Sequence, residues 1–281
     1  MVKQARKRRR SNWADLSIEI VLAAFGALML FPFLYLIVNS FKEENRIFDI
    51  YNIPDFTHIA NFRTAIASGN YLQSLFNSVV ITAGALALII LLSSMAGFTI
   101  GRAGKGFFQV ILYILLTGMI IPLQVSMVPL YKMGVTLHLM NTRTFLILLY
   151  AAGSIPLATF LYVGFTKAIS REYDEAAKLD GCNRFDLYWR VVFPLLLPAT
   201  GTVIVTSAFG IWNDFSSPLL FLYDERKQTV VSMIYHFKGE KTMDWAPVFA
   251  LCTLATLPMI VLFLFVQKRF FQQLASGGLK G

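Results

Sequence analysis

The sequence predicts an all-α integral membrane protein, a bundle of six transmembrane helices with both termini cytoplasmic. Three observations lead there. Only 15% of the 281 residues are charged and 56% are apolar, against about 25% charged in an average soluble domain. Six apolar runs, at 18–38, 75–100, 107–130, 145–163, 195–222 and 246–266, approach or exceed the ~20 residues that a spanning helix needs. Finally, Lys and Arg divide 16 to 9 between alternate loops when the N-terminus is placed inside, the bias that sets orientation. Runs this long exclude barrel strands, which alternate over about ten residues.

The first element is a basic tail, residues 1–14, carrying "KQARKRRR" with six Lys/Arg and no acid. Next to an apolar run this is a topological anchor, so a nucleic-acid partner is not expected. The run that follows is longer than the h-region of a signal peptide, about 7–15 residues, and reads as a retained span. Residues 15–271 form the bundle. Its second and third spans are joined by "TIGRAGKGFF", which has the look of a phosphate loop. The spacing fails, with Thr99 in the first glycine position and Gly106 where Ser or Thr must stand.

Prolines 32, 122, 129, 156, 198, 218 and 258 lie within or at the ends of spans. Each frees a carbonyl and permits a kink, although proline is also simply commoner in membrane helices. Cys182 and Cys252 stand far apart, as do His58, His138 and His236, so no metal site is expected. Paired catalytic groups at membrane depth are likewise lacking, which argues against an intramembrane enzyme.

The fourth and fifth spans are separated by a charge-balanced segment, about 164–194, holding "EYDEAAKLDGCNRFDLYWRVVFPLLLPA". A lipid-binding segment would be polybasic, whereas a neutral pair of amphipathic helices suits a protein surface. Ser170 is a plausible N-cap, and Glu172, Asp174 and Glu175 complement the positive helix end. Gly181 falls where a left-handed residue would stop that helix. Asn183 can cap a second helix carrying an Asp186–Arg190 pair. Ala176 and Ala177 would let the first helix approach a partner closely.

This segment resembles the EAA loop of ABC importer permeases. Glu175, Ala176, Ala177 and Gly181 match its motif, with Asp180 beside the glycine. Cys182 stands where alanine is usual, and Val191 and Phe193 replace Ile and Leu. "IPLQVSMVPLYKMGVTLHLMNT", "IWNDFSSPLLFL" and "TMDWAPVFALCTLATLPMIVLFLFVQKRFFQQLASGGLKG" extend the resemblance to the carbohydrate-importer branch, its MalG-like subunits, over roughly residues 15–281.

The resemblance implies a non-enzymatic permease of a binding-protein-dependent sugar importer in a prokaryotic cell membrane. Its partners would be a second homologous permease, an ABC ATPase dimer that binds ATP and Mg, and an extracytoplasmic sugar-binding protein. The chain itself would hold no cofactor. Glu175, Ala176, Ala177, Asp180 and Gly181 would couple it to the ATPase. Trp212, Asn213 and Asp214, with Ser216 and Ser217, fall within the fifth run. There they would either meet sugar or hydrogen-bond across the permease interface, and both readings stay open.

The outer loop 224–245 would reach the binding protein, with "HFKGEK" as its tip and Phe237, Lys238, Gly239 and Glu240 as contacts, or would simply be solvated. The tail 272–281 would extend toward the ATPase. Two alternatives are a permease for another small solute and an ion-coupled carrier. The second would need more intramembrane charge than Asp214 supplies.

Overall fold

The computed structural model describes residues 13–49, 51–67, 70–104, 106–237 and 243–277. Every regular element among them is helical. In chain order these are α1 (Trp13–Asn39), α2 (Ala60–Ala67), α3 (Tyr71–Ala103), α4 (Phe107–Gly118), α5 (Leu123–Thr136), α6 (Arg143–Ala168), α7 (Glu172–Leu179), α8 (Arg184–Asp186), α9 (Phe193–Trp212), α10 (Ser216–Phe221) and α11 (Trp245–Gly277). A π-helical turn, Leu187–Val192, makes α8 and α9 one continuous rod. The N-terminal tail lies outside the described residues.

Among the described residues, five helical stretches are long and apolar enough to cross a membrane. The third apolar run does not form the single helix that its length predicted. It is split into α4 and α5, bent by 98° at the break, so the count reaches six only if the pair is one span. Pro122 explains the break. It stands at the N-cap of α5 with ψ 137°, an extended conformation, and it has no N–H to continue the ladder of α4.

The fifth run is corrected too. Its helix is under way well before residue 195 and stops at Trp212, and 216–221 forms the separate α10. The side chain of Asp214 accepts the N–H groups of Ser216 and Ser217 at 2.9 and 3.2 Å, and so begins a new helix. At the C-terminus, α11 continues to Gly277, so the boundary drawn at 271 falls inside a helix. Helix formers such as Gln, Leu and Ala carry it on.

The bundle is built on α3 against α6, with α9 beside them. Ile81, Ala85, Ile89, Leu146, Tyr162 and Leu196 are among the residues of its main buried cluster. Small residues set the spacing: a Cβ on Gly97 would lie 2.3 Å from Tyr162 Cβ, and one on Gly101 2.8 Å from Thr166 Cβ. Such close backbone approach is how helices gain packing where lipid supplies no hydrophobic drive. The apolar window of α1 is entirely unburied. That helix leans on α11, with Tyr35 edge-on to Phe249 at 6.0 Å between ring centroids. Its exposed leucines and phenylalanines suit hydrocarbon, not water.

The loops sort into two ends. At one, Asn61 Nδ2 donates to Ser40 O and Lys42 O, Asn77 Nδ2 to Arg226 O and Gln228 O, and Lys227 Nζ to Asn141 O. Glu44 accepts the N–H groups of Trp245 and Ala246 at 2.9 and 2.6 Å, capping α11. At the other end the C-termini of α3 and α6 meet α7. These side-chain bonds satisfy backbone groups that loops would otherwise leave unpaired.

Candidate functional site

The charged segment folds as two helices around a glycine. Ser170 Oγ accepts the N–H of Glu172 at 3.2 Å, and three acids occupy the first turn of α7. Gly181 takes φ 80°. Around it Gly181 N donates to Lys178 O and Cys182 N to Ala177 O, the paired bonds of a Schellman stop that needs a left-handed residue. Asn183 Oδ1 then accepts the N–H groups of Phe185 and Asp186 at 2.8 and 2.9 Å. Asp186 pairs with Arg190 at 3.1 Å one turn further on.

Glu175, Ala176, Asp180 and Gly181 are all exposed here, while Ala177 is buried, in one cluster with Leu187. The turn also projects Leu179 and Phe185, which are 90% and 66% exposed. The turn thus presents apolar side chains beyond the bundle end. Sequence reading did not find what lies behind it. Arg102, at the end of α3, reaches the first turn of α7. The available signal was an arginine closing an apolar span.

The residues 212–214 do not converge. Trp212 is buried beside Ala208 and Met259, and its Nε1 donates to Ala255 O at 3.0 Å. Asn213 Nδ2 donates back to Phe209 O. Asp214 caps α10 with one oxygen and with the other accepts Tyr150 Oη at 3.0 Å. Trp212 and Asp214 serve helix packing and a helix end, and Trp212 is only 5% exposed, while Asn213 is exposed.

A groove of about 570 Å³ lies instead where the α4–α5 break meets α6 and α9. Ser126, Tyr150, Ser154 and Ser207 contribute hydroxyls to its lining, and Gly153 and Gly210 leave it open. Phe237 is buried at the opposite end from Gly181, among Val230, Met233 and Val248. Lys238, Gly239 and Glu240 lie outside the described residues.

Residues 89–276 match the family described as binding-protein-dependent transport system inner membrane component. The chain is 34% identical over 275 residues to the melibiose/raffinose/stachyose import permease MelC of Bacillus subtilis, covering 97% of this chain and 100% of that one. It is 32% identical over 254 residues to AmyC of Thermoanaerobacterium thermosulfurigenes, a probable permease for starch degradation products, covering 90% and 92% of the two chains. Its fold matches a chain in the crystal structure of a bacterial ABC transporter involved in the import of the acidic polysaccharide alginate. The TM-score is 0.78 at 18% identity, over 93% of this chain and 98% of that one.

A multi-helix membrane bundle with these relatives is a transport permease. The chain belongs to the family of binding-protein-dependent transport system inner membrane components.

Proposed function

We propose that the chain is one permease of an ATP-driven sugar importer in a prokaryotic plasma membrane, with its termini and the α7–α8 turn in the cytoplasm. An ABC ATPase dimer, which binds the ATP and Mg, seats on Glu175, Ala176, Asp180 and Gly181. Ala177, buried, sets the seat of α7 itself. The groove bordered by Tyr150, Ser154 and Gly153 is this chain's face of the pathway, completed by a second, homologous permease. A sugar-binding protein docks at the opposite end of the bundle. Closure of the ATPase displaces α7, and the bundle switches between inward- and outward-open states. The permease contributes no catalytic residue.

One observation carries this reading: Glu175, Ala176, Asp180 and Gly181 are all exposed around a capped turn, in a chain whose relatives are sugar permeases. Hydroxyls rather than charges in the groove suit an uncharged, hydroxyl-rich solute.

The test is reconstitution of the chain with its partner permease, ATPase and binding protein in proteoliposomes, reading uptake of radiolabelled raffinose and maltotriose. Uptake should need ATP and stop with vanadate. Gly181→Pro removes both the left-handed φ and an N–H that the stop uses, and Glu175→Lys reverses a charge on the exposed face. Both should insert normally yet lose the ATPase or the uptake. Uptake that survives both changes, or runs without ATP, sinks the proposal.

A further inference from the structure

Arg102 closes α3 with its side chain only 14% exposed. Its Nη1 donates to Thr166 O, in the last turn of α6, at 3.2 Å and to Ile169 O, just past its end, at 2.9 Å. Its Nη2 donates to Asp174 Oδ1 at 2.8 Å, and its Nε lies 2.8 Å from Asp174 Oδ2. The Asp174 side chain, in the first turn of α7, is 13% exposed. The backbone joins in as well, because Arg171 Nη2 donates to Arg102 O at 3.2 Å. One guanidinium therefore ties three helix ends together. In this fork Nη2 makes the hydrogen bond to the carboxylate while Nε adds an ion-pair contact without hydrogen-bond geometry, and a cation is favoured at helix C-termini.

Little else joins α7 to α3. Ala177 is the one buried residue of α7. A cleft of about 620 Å³ opens beside the fork, between Phe98 and Phe108 on one side and Lys178 and Phe185 on the other. By contrast α3 and α6 are locked together at Gly97 and Gly101, where no side chain fits. Three routes lead from α7 into the bundle: back along the chain through the short linker 169–171 into α6, forward through α8 into α9, and across the Arg102 fork, the one of the three that reaches α3.

We propose that the Arg102–Asp174 clamp is the force-bearing link by which movement of α7 drives the α3–α6 pair, making Arg102 and Asp174 positioning residues of the transport cycle. This rests on the importer reading above. Without the fork, α7 is held to α6 and α9 mainly by the flanking chain, and part of the ATPase motion is spent in the cleft instead of reaching α3. ATP hydrolysis then continues while transport fails.

The experiment uses the reconstituted complex with raffinose and maltotriose as probes, comparing Asp174→Asn and Arg102→Lys, which keep size but break the fork, with Asp174→Glu, which keeps it. The first two should assemble with the ATPase and hydrolyse ATP, yet move about fivefold less sugar per ATP, the lower end of energetic couplings between sites. Asp174→Glu should stay near the unsubstituted ratio. Hydrogen exchange on the same complexes should show faster exchange of the α7 amides in the two broken-fork variants, with α3 and α6 unaltered.

An unchanged sugar-to-ATP ratio overturns the proposal. So does loss of the ATPase from the Asp174→Asn complex, which would make Asp174 a docking contact. Unaltered exchange in α7 refutes the clamp whatever the complex transports. Absence of ATP-driven uptake in the unsubstituted complex refutes the importer reading instead.

Discussion

Gly97 and Gly153 look equivalent in the sequence, each a glycine in an apolar helix, yet their surroundings are opposite. A methyl on Gly97 meets Tyr162 Cβ at 2.3 Å with the Tyr162 backbone just behind it, and nothing there yields; at Gly153 nothing lies within 4 Å. Gly97→Ala should therefore lower stability by about 1–3 kcal/mol, the usual cost of overpacking. Gly153→Ala should stay within about 0.5 kcal/mol, both read from thermal unfolding in detergent. If the groove carries sugar, Gly153→Leu should cut uptake without lowering the unfolding temperature.

Trp212→Phe removes one donor to Ala255 O, a loss of about 0.5–1.5 kcal/mol, and should leave the KM for transported sugar unchanged. A raised KM would return Trp212 to the pathway. Gly181 and Trp212 show what was legible at this scale. A left-handed stop is a local demand, written beside its helix. The direction in which a tryptophan points depends on α11, about forty residues away in a chain that gives no local hint of it.

At the scale of elements, the long helices were legible because length and apolarity decide them, and the break in the third run was not. Both sides of Pro122 are apolar, α4 more so than α5, so the run reads as continuous although the helices meet at 98°. The end of the fifth span was hidden because α10 turns apolar again after its two serines. Asp214 ahead of two serines was the overlooked sign. The bend is measurable. A straight helix would separate Val110 from Lys132 by about 33 Å at 1.5 Å per residue. Spin labels at these two positions should report a distance well short of that by electron–electron resonance. A distance near the straight value would mean that α4 and α5 form one rod and that the groove beside their break does not exist as described.

For the whole molecule the decisive quantity is sidedness. The bonds of Asn61, Asn77, Lys227 and Glu44 gather one set of loops at one end, and the Arg102 fork gathers α7 at the other. Geometry says that the ends differ; charge says which is which. The end bearing α7 holds 16 of the 25 Lys and Arg in the sequence when both termini are counted with it, and such an excess belongs in the cytoplasm. With Cys182 and Cys252 replaced by Ser, single cysteines can be placed at Ser170 and at Glu225, both exposed. A membrane-impermeant maleimide applied to intact cells should label the Glu225→Cys protein and spare Ser170→Cys, which should react only in inverted vesicles. The reverse pattern would put Gly181 and Glu175 outside, beyond reach of any cytoplasmic ATPase. The coupling turn and the clamp behind it would then have nothing to transmit.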